Sequence, residues 1–253
     1  MIRKFIDKVI AAKQCKSNNY RADDGDKLLL ISPHMDDDVL GCGGLLALRA
    51  KLGKAAPCIV YLTDGTRGNV KLVKDSRLTF VRKQETKNAL RVLGITDPAL
   101  IFMDRPDFAM VPDNDAVKAM VAALINYQPD HIFVNSPWDS HPDHKAACKL
   151  LKLVIKDRLM KTLKSTIVLY EIYDPLPDCV SIDITDFIEL KHSAFKCHSS
   201  QTKLLPYNDY VAGLNVFRGM KIAQLGSKKR VHGEGFMAMS KENFCQLVTK
   251  LLG

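Results

Sequence analysis

The sequence lacks the features that identify several common classes of protein. Its seven cysteines are odd in number, scattered and never spaced as C-x-x-C, so neither a zinc knuckle nor a dithiol redox site is indicated. Aromatic residues make up only 7% of the chain, and no recognised nucleic-acid-binding module accompanies the basic residues. We therefore expect reduced thiols in a cytoplasmic protein, and we expect no nucleic acid among its partners.

Long apolar stretches are also missing. Residues 1–14 carry a charge every few positions, so we expect neither a signal peptide nor a membrane-spanning helix there. Their apolar spacing predicts an amphipathic helix, which either packs against the domain or lies on a membrane surface. Membrane association is not specifically indicated. We assign residues 1–25 to this helix and a polar linker, within a single domain spanning residues 1–253.

What the chain does contain is enough apolar sequence for a large core. It has 253 residues, of which 47% are hydrophobic and 26% charged, as expected for one large α/β domain. The formal net charge of +9 favours anionic partners without selecting among a phosphorylated or nucleotide-linked substrate, an anionic polymer and a membrane surface.

Short apolar runs alternate with stretches of helical periodicity. The runs are nearly continuous, as buried parallel strands are, and they cover residues 28–32, 58–63, 100–103, 131–136 and 166–172. The periodic stretches between them cover residues 39–53, 77–93, 113–127 and 143–162. This order predicts an α/β fold, Rossmann-like, with a mainly parallel sheet sandwiched by helices. Beyond residue 173 we predict an apolar piece over 179–184, a helix over 185–198 and a C-terminal lobe.

The first polar motif is PHMDDDVLGCGG, residues 33–44, directly after the first apolar run. Three adjacent carboxylates repel one another unless something positive compensates them. Either the N-terminus of the following helix or a bound metal ion supplies that charge, and the motif alone leaves both open. The glycines do not fit the dinucleotide pattern G-x-G-x-x-G, because Leu46 stands where the third small residue belongs.

The second motif, PWDSHPDHKAAC, follows the fourth predicted strand, and in it His141 and His144 flank Pro142 and Asp143. Ligands bind an open α/β sheet beyond the carboxyl ends of its strands, so both motifs are expected at one edge. Together they offer histidine and aspartate donors of the kind that zinc prefers. Three protein ligands would leave a position for a water whose pKa the metal lowers to about 7, which predicts hydrolysis. The alternative is a polar loop in which Asp143 caps a helix and the histidines are solvated.

Both motifs resemble those of the PIG-L/LmbE-like family of zinc-dependent N-acetylglucosaminyl deacetylases. The first resembles the family signature P-H-P-D-D-E, with Met35 in place of proline and Asp38 in place of glutamate. Further matches extend the resemblance from about residue 26 to 240: YLTDGTRG (61–68), RKQE (82–85), ALRVLGI (89–95), DITDFIELKHSAFKCHSSQ (183–201) and HGEGF (232–236).

The resemblance implies a role for each matching residue. His34, Asp37 and His144 become the ligands of one zinc ion per chain, although such donors also accept other divalent metals such as Fe2+. Asp36 becomes the general base acting on the zinc-bound water. His141 becomes the group that stabilises the oxyanion or protonates the departing amine.

Other residues are assigned to the surroundings of this centre. Asp143 is expected to orient His141, a task that carboxylates often perform near a metal. Arg82 and Asp107 match family positions that contact the sugar. For Arg82, an ion pair with Glu85 on a helix surface is the alternative. The C-terminal lobe is expected to complete the rim of the active site.

The resemblance therefore predicts removal of an N-acetyl group from an N-acetylated amino sugar or its conjugate. An amidase acting on another N-acyl group or a thiol conjugate, and a non-catalytic sugar- or nucleotide-binding protein, are the alternatives. The expected partner is a small amino sugar, with a nucleotide or lipid linkage left open. A stripe of lysines on the helix after the second motif is either a solvated face or a contact for an anionic partner: Lys145, Lys149, Lys152 and Lys156. The oligomeric state also stays open.

Overall fold

The computed structural model describes residues 20–68, 75–204, 206–224 and 229–253, so the predicted helix of residues 1–14 lies outside the described part. The described residues form one seven-stranded sheet. Its strands are β1 (Leu28–Ser32), β2 (Cys58–Thr63), β3 (Ala99–Arg105), β4 (His131–Asn135), β5 (Thr166–Tyr170), β6 (Val180–Asp183) and β7 (Gly233–Met239).

Helices connect and flank these strands. In the described residues they are α1 (Asp37–Lys51), α2 (Ser76–Val92), α3 (Asn114–Tyr127), α4 (Pro142–Ile155), α5 (Ile188–Lys196), α6 (Ser199–Thr202), α7 (Tyr207–Gly219) and α8 (Lys241–Leu252). Two 3₁₀ turns cover Arg158–Lys161 and Thr185–Phe187. Within the described ranges, no helix has the length and apolar character that crossing a membrane requires.

The strand order is β3-β2-β1-β4-β5-β7-β6. Strands β1 to β5 pair in parallel, whereas β7 runs antiparallel to both β5 and β6. The predicted α/β class with a mainly parallel sheet is therefore confirmed. All five predicted strands are present, within two residues of their expected ends.

The sequence pattern did not predict β7. The strand is buried along its whole length, so it lacks the alternation of a half-exposed strand, and Gly233, Glu234 and Gly235 interrupt its apolar character. Gly235 is needed because a Cβ there would collide with the carboxylate of Glu171. The strand thus resembles a polar loop in sequence while it lies in the core.

Two predicted helices have different bounds in the structure. The helix expected over 143–162 ends at Ile155, where Lys156 and Asp157 donate to carbonyls three residues back and tighten the last turn. The helix expected over 185–198 begins as a 3₁₀ turn and becomes α-helical only at Ile188.

The sheet is covered on both faces. Side chains of a strand alternate between faces, so Leu29 and Ile31 join the core beneath α3, α4 and α8, while Leu28 and Leu30 join the core beneath α1, α2 and α5. Because both faces are buried there, β1, β2, β4 and β5 are nearly continuous apolar runs in sequence, as predicted, whereas the edge strands β3 and β6 are partly exposed.

The glycine cluster of the first motif has a packing role. A Cβ on Gly41 would overlap the ring of Tyr170, and one on Gly44 would lie 2.7 Å from side-chain carbons of Ile184. The glycines thus let α1 approach β5 and the segment before the second 3₁₀ turn closely.

Candidate active site

The two motifs lie at the point where the strand order reverses. β1 and β4 are neighbours and run parallel, so the loops that follow them emerge side by side at the carboxyl edge of the sheet. In open α/β sheets this reversal leaves a crevice in which ligands bind. The fold therefore brings together two segments that are distant in sequence.

The first loop runs from Ser32 into α1. Asp36 occupies the N-cap position of α1, yet its side chain makes no capping hydrogen bond. Asp37 lies in the first helical turn, and its Oδ2 accepts the backbone N–H of His34 at 2.8 Å. Helix capping alone therefore does not account for these carboxylates.

The second loop positions two histidines at the start of α4. His141 is the N-cap, and its Nδ1 accepts the backbone N–H of Asp143 at 3.2 Å, with Pro142 in the first turn. His144 is completely buried. The alternative of two solvated histidines is thus wrong for His144.

Three donor atoms from the two loops converge. His34 Nδ1 lies 3.0 Å from Asp37 Oδ2, His144 Nε2 lies 3.2 Å from the same oxygen, and the two nitrogens are 3.4 Å apart. An ion held tetrahedrally by nitrogen and oxygen at about 2.0–2.1 Å requires donors about 3.3 Å apart. The three atoms are therefore spaced as ligands of one divalent ion would be.

The remaining atoms of the cluster also fit a cation. Asp37 Oδ1 is buried and has no hydrogen-bond partner among the described residues. Such an orphaned carboxylate oxygen is costly unless a positive charge lies nearby. Two overlapping groups also have donor atoms within 4.8 Å of one another, namely His34 with His141 and His144, and His34 with Asp107 and Asp143.

Each of the two buried histidines has a carboxylate at its other ring nitrogen. His144 Nδ1 lies 3.0 Å from Asp139 Oδ2, while His34 Nε2 lies 3.3 Å from Asp143 Oδ2 and 3.5 Å from Asp107 Oδ1. Carboxylates in this position fix the tautomer and orientation of histidines that bind metals.

Asp139 is a residue that the sequence analysis missed. It is fully buried, and its carboxylate also accepts the backbone N–H groups of His141 at 2.9 Å and Tyr173 at 3.3 Å. The sequence did contain a signal, because the acidic residue precedes His141 by two positions inside the second motif.

The expected role of Asp143 needs correction. Its carboxylate accepts the backbone N–H groups of Phe108 at 2.8 Å and Met110 at 3.1 Å, and it faces His34. Only its backbone N–H reaches His141. The reason is geometric, since the ring of the N-cap residue already lies over the first turn of α4 while the Asp143 side chain meets the loop after β3.

Arg82 is buried, with 2% of its surface exposed, and its Nη2 donates to Asp36 Oδ1 at 3.0 Å. The alternative of a surface ion pair with Glu85 is therefore wrong. Glu85 instead accepts from the Ser199 hydroxyl at 2.9 Å and from the Ser200 backbone at 2.8 Å.

The pKa values of the ionisable groups in the site are shifted in different directions. Burial raises the pKa of Asp36, and the positive charge of Arg82 only partly opposes this rise. Burial also acts to raise the pKa of Asp37, but the charges of His144 and His34 outweigh it and hold that pKa well below its usual value. Burial, followed by the charges of His34 and His144, lowers the pKa of His141 to about 4.

A cleft opens above these residues. His34, Asp36, Arg82, Asp107 and His141 all line it. The C-terminal part of the chain contributes further lining residues, namely Tyr173, Gln201, Leu204 and Tyr207. The prediction that the C-terminal lobe completes the rim is thus confirmed.

Two polar residues of the C-terminal motifs lie elsewhere. His198 is fully buried and does not line the cleft. Glu234 is also buried, and it accepts from Lys191 Nζ at 2.7 Å and from the backbone of Gly44 and Leu45 at 2.9 and 2.8 Å.

Comparison with known proteins identifies the family. The family model described as PIG-L, GlcNAc-PI de-N-acetylase, matches residues 29–155. This match covers half of the chain, so the protein belongs to the PIG-L family, as the motifs predicted.

Individual relatives are similar over most of their length. Diacetylchitobiose deacetylase from Thermococcus kodakarensis is 27% identical over 194 residues, which cover 69% of this chain and 70% of the relative. The structure of N,N'-diacetylchitobiose deacetylase from Pyrococcus horikoshii, in complex with an inhibitor, superposes with a TM-score of 0.73 at 27% identity, covering 87% of this chain and 85% of that chain.

A third relative is named for a different reaction. 4-Oxalmesaconate hydratase from Pseudomonas putida is 25% identical over 252 residues, covering 90% of this chain and 95% of the relative. Similarity of fold therefore does not by itself determine the reaction. The reaction has to be inferred from the side chains of the site.

Proposed function

We propose that this protein is a metal-dependent N-deacetylase, which hydrolyses the acetamide of an N-acetylated amino sugar or its conjugate to acetate and a free amine. The observation that carries the proposal is the buried carboxylate of Asp36 beside three converging donors from His34, Asp37 and His144. The deacetylases among its relatives support the same reaction.

In this proposal His34, Asp37 and His144 hold the ion. Two nitrogens and one carboxylate oxygen suit Zn2+, and Fe2+ is the main alternative. When bound, such an ion supplies a water of lowered pKa and a positive charge for the amide oxygen.

Asp36 acts as the general base. Arg82 bonds its Oδ1, while Oδ2 makes no hydrogen bond with the described residues and takes the proton of the attacking water. The raised pKa of Asp36 brings its basicity closer to neutral pH, where a general base works best. Once the water oxygen has bonded to the carbonyl carbon and the C–N bond breaks, the same proton passes to the departing amine.

His141 stabilises the oxyanion. Its lowered pKa leaves the ring neutral at pH 7. Because Nδ1 accepts the N–H of Asp143, we assign the ring proton to Nε2, which is then a donor for the oxygen of the tetrahedral intermediate. This arrangement favours the oxyanion role of His141 over direct protonation of the amine.

The sugar would lie against the aromatic residues of the cleft. Phe108 and Tyr173 are 43% and 44% exposed, and both rings lie close to the ring of His141. Arg82 and Asp107 line the same cleft and stay our predicted sugar contacts. Both also form hydrogen bonds within the protein. Arg82 donates to Asp36, and Asp107 Oδ2 accepts the backbone N–H of Arg67 at 2.9 Å.

Acetate release from purified, zinc-loaded protein tests the proposal. The substrates are N-acetylglucosamine, its methyl glycoside and N,N'-diacetylchitobiose. We expect Asp36→Asn to keep its metal while turnover falls about 10²–10⁴-fold, the usual contribution of a general base. Asp115→Asn, at an exposed position on α3, is the control and should match the wild type.

Two results would contradict the proposal. Unchanged turnover of Asp36→Asn would refute the role of the base. If no acetate is released from any substrate while 4-oxalmesaconate is consumed, the reaction is instead the one named for the Pseudomonas relative.

A further inference from the structure

A short loop after β2 holds a second arginine at the cleft. The backbone N–H of Arg67 donates to Asp107 Oδ2 at 2.9 Å. The next residue, Gly68, donates its N–H to the Gly65 carbonyl at 3.3 Å and accepts from Gln201 Nε2 at 3.1 Å. The backbone on both sides of the Arg67 side chain is therefore fixed to other parts of the site.

The side chain of Arg67 is charged, exposed and without a carboxylate partner in the described part of the chain. It lines the same cleft as Asp36 and His141. Among the residues that the structure describes, none forms an ion pair with it, whereas Arg82 is bonded to Asp36. Asp107 is close, but its hydrogen bond is to the backbone of Arg67 rather than to the guanidinium.

The cleft also contains aromatic side chains. The rings of Phe108 and Tyr173 lie 4.8 and 6.2 Å from the ring of His141, centre to centre, and Tyr207 lies 6.4 Å from Tyr173. Aromatic faces of this kind offer a surface for a sugar ring. The cleft thus has an aromatic region next to His141 and a cation next to Gln201.

We propose that the substrate carries an anionic group, a carboxylate or a phosphate attached to the amino sugar, and that Arg67 binds it. This inference rests on the proposed deacetylation, since it assigns the substrate class of that site. The planar guanidinium matches both kinds of anion with paired hydrogen bonds, and the net charge of +9 attracts them. Arg67 would then determine specificity without taking part in the bond-breaking step.

Binding of deacetylated ligands tests the inference separately from catalysis. Calorimetry on the zinc-loaded protein would compare methyl glucosaminide, glucosamine 1-phosphate and a glucosaminyl glycoside of a hydroxy acid. We expect at least one of the two anionic ligands to bind about tenfold or more tightly than the neutral one, as a hydrogen bond to a charged group provides. Which of them gains affinity distinguishes phosphate from carboxylate.

Variants then locate the effect. Arg67→Gln should abolish the preference for the anionic ligand, and Arg67→Lys should retain part of it, because lysine keeps the charge but loses the paired geometry. Arg77→Gln is the matched control, since Arg77 is exposed and paired with Asp75 outside the cleft. This variant should keep the full preference.

Equal binding of the neutral and both anionic ligands by the wild type would overturn the inference. So would a preference that persists unchanged in Arg67→Gln. Acetate release by the wild type, measured on the neutral substrates and also on N-acetylglucosamine 1-phosphate and the N-acetylated glycoside of the hydroxy acid, decides the proposed function independently of the binding preference. Failure of one proposal is therefore distinguishable from failure of the other.

Discussion

Two regions of the molecule bury carboxylates, and they treat them differently. Around β5 and β7, Glu234 pairs with Lys191 at 2.7 Å and Glu171 pairs with Arg218 at 2.6 Å, all at most 4% exposed. Beyond the ends of β1 and β4, Asp37 lies between two histidines and keeps one oxygen without a partner among the described residues. We call the first region closed, because its carboxylates are paired within the protein, and the second region open, because a carboxylate oxygen there stays available to a ligand.

This difference indicates a structural role for the closed region and a ligand-binding role for the open region. Glu234 also accepts two backbone N–H groups of α1, so both its oxygens are used within the protein. Such pairs join helices and strands but leave nothing for a ligand. A buried carboxylate with an unused oxygen beside two nitrogen donors is stabilised further when a cation binds there. Removing groups from each region tests this contrast.

The largest expected effect follows removal of a donor from the open region. His144→Ala should lose the ion and the hydrolysis together, with a larger fall in metal affinity than the roughly 10–100-fold caused by losing an orienting partner. Metal content of the purified variant measures this. His192→Ala, on α5 and outside the cleft, is the control, and a full equivalent of metal in His144→Ala would refute the ligand assignment.

In the closed region the expected effect is on stability. Glu234→Gln leaves Lys191 charged, buried and unpaired, so we expect the free energy of unfolding to fall by about 3–5 kcal/mol. Urea denaturation measures this, with the exposed Glu242→Gln as control. Metal content of the folded variant should not change. Loss of metal without loss of stability would show that the two regions are not distinct.

An intermediate effect is expected for the carboxylate behind His144. Asp139→Asn should lower metal affinity by about 10–100-fold, since the amide orients the imidazole less strongly than a carboxylate does. Titration against a competing chelator measures it. Asp174→Asn is a matched control in the same part of the site, because its carboxylate accepts the backbone N–H of Ser140 at 2.8 Å without contacting a donor histidine. Equal affinities of the two variants would contradict the role of Asp139.

The smallest effect is a shift in pH dependence. The positive charge of Arg82 lowers the pKa of Asp36, which burial raises. Arg82→Gln removes the lowering influence, so that pKa rises further and the base becomes ionised only at higher pH. The acid limb of the kcat/KM profile should therefore move to higher pH. Arg91→Gln, exposed on the same helix, should not change the pH of the acid limb. An unchanged acid limb in Arg82→Gln would show that Arg82 does not influence the pKa of the base.

The sequence predicted the parts of the fold and site that depend on short contiguous segments. Strands β1, β2, β4 and β5 were recognisable because burial on both faces makes them apolar runs, and the partly exposed edge strand β3 was recognisable from its apolar residues alone. The two motifs were recognisable because each directly follows a strand. The pairing of Arg82 with Asp36 joins residues 46 positions apart, and no local spacing indicates it.

The remaining errors have the same physical origin. Whether Asp143 faces His141 or His34 depends on the path of the loop after β3, which supplies Phe108 and Met110 as donors. The first residues of strand β7 are not apolar, because Gly235 lies so close to Glu171 that a side chain there would collide with its carboxylate. Contacts of this kind are decided by tertiary packing and have no periodicity in the sequence.

The separation of the two motifs along the chain has a consequence for assembly. His34 and His144 are 110 positions apart and meet only because β1 lies beside β4. A chain that has not yet completed this crossover offers a metal no more than an isolated histidine and its neighbouring aspartate. Binding of the ion would therefore come late in folding. The free metal concentration would then determine how much the ion adds to the free energy of unfolding.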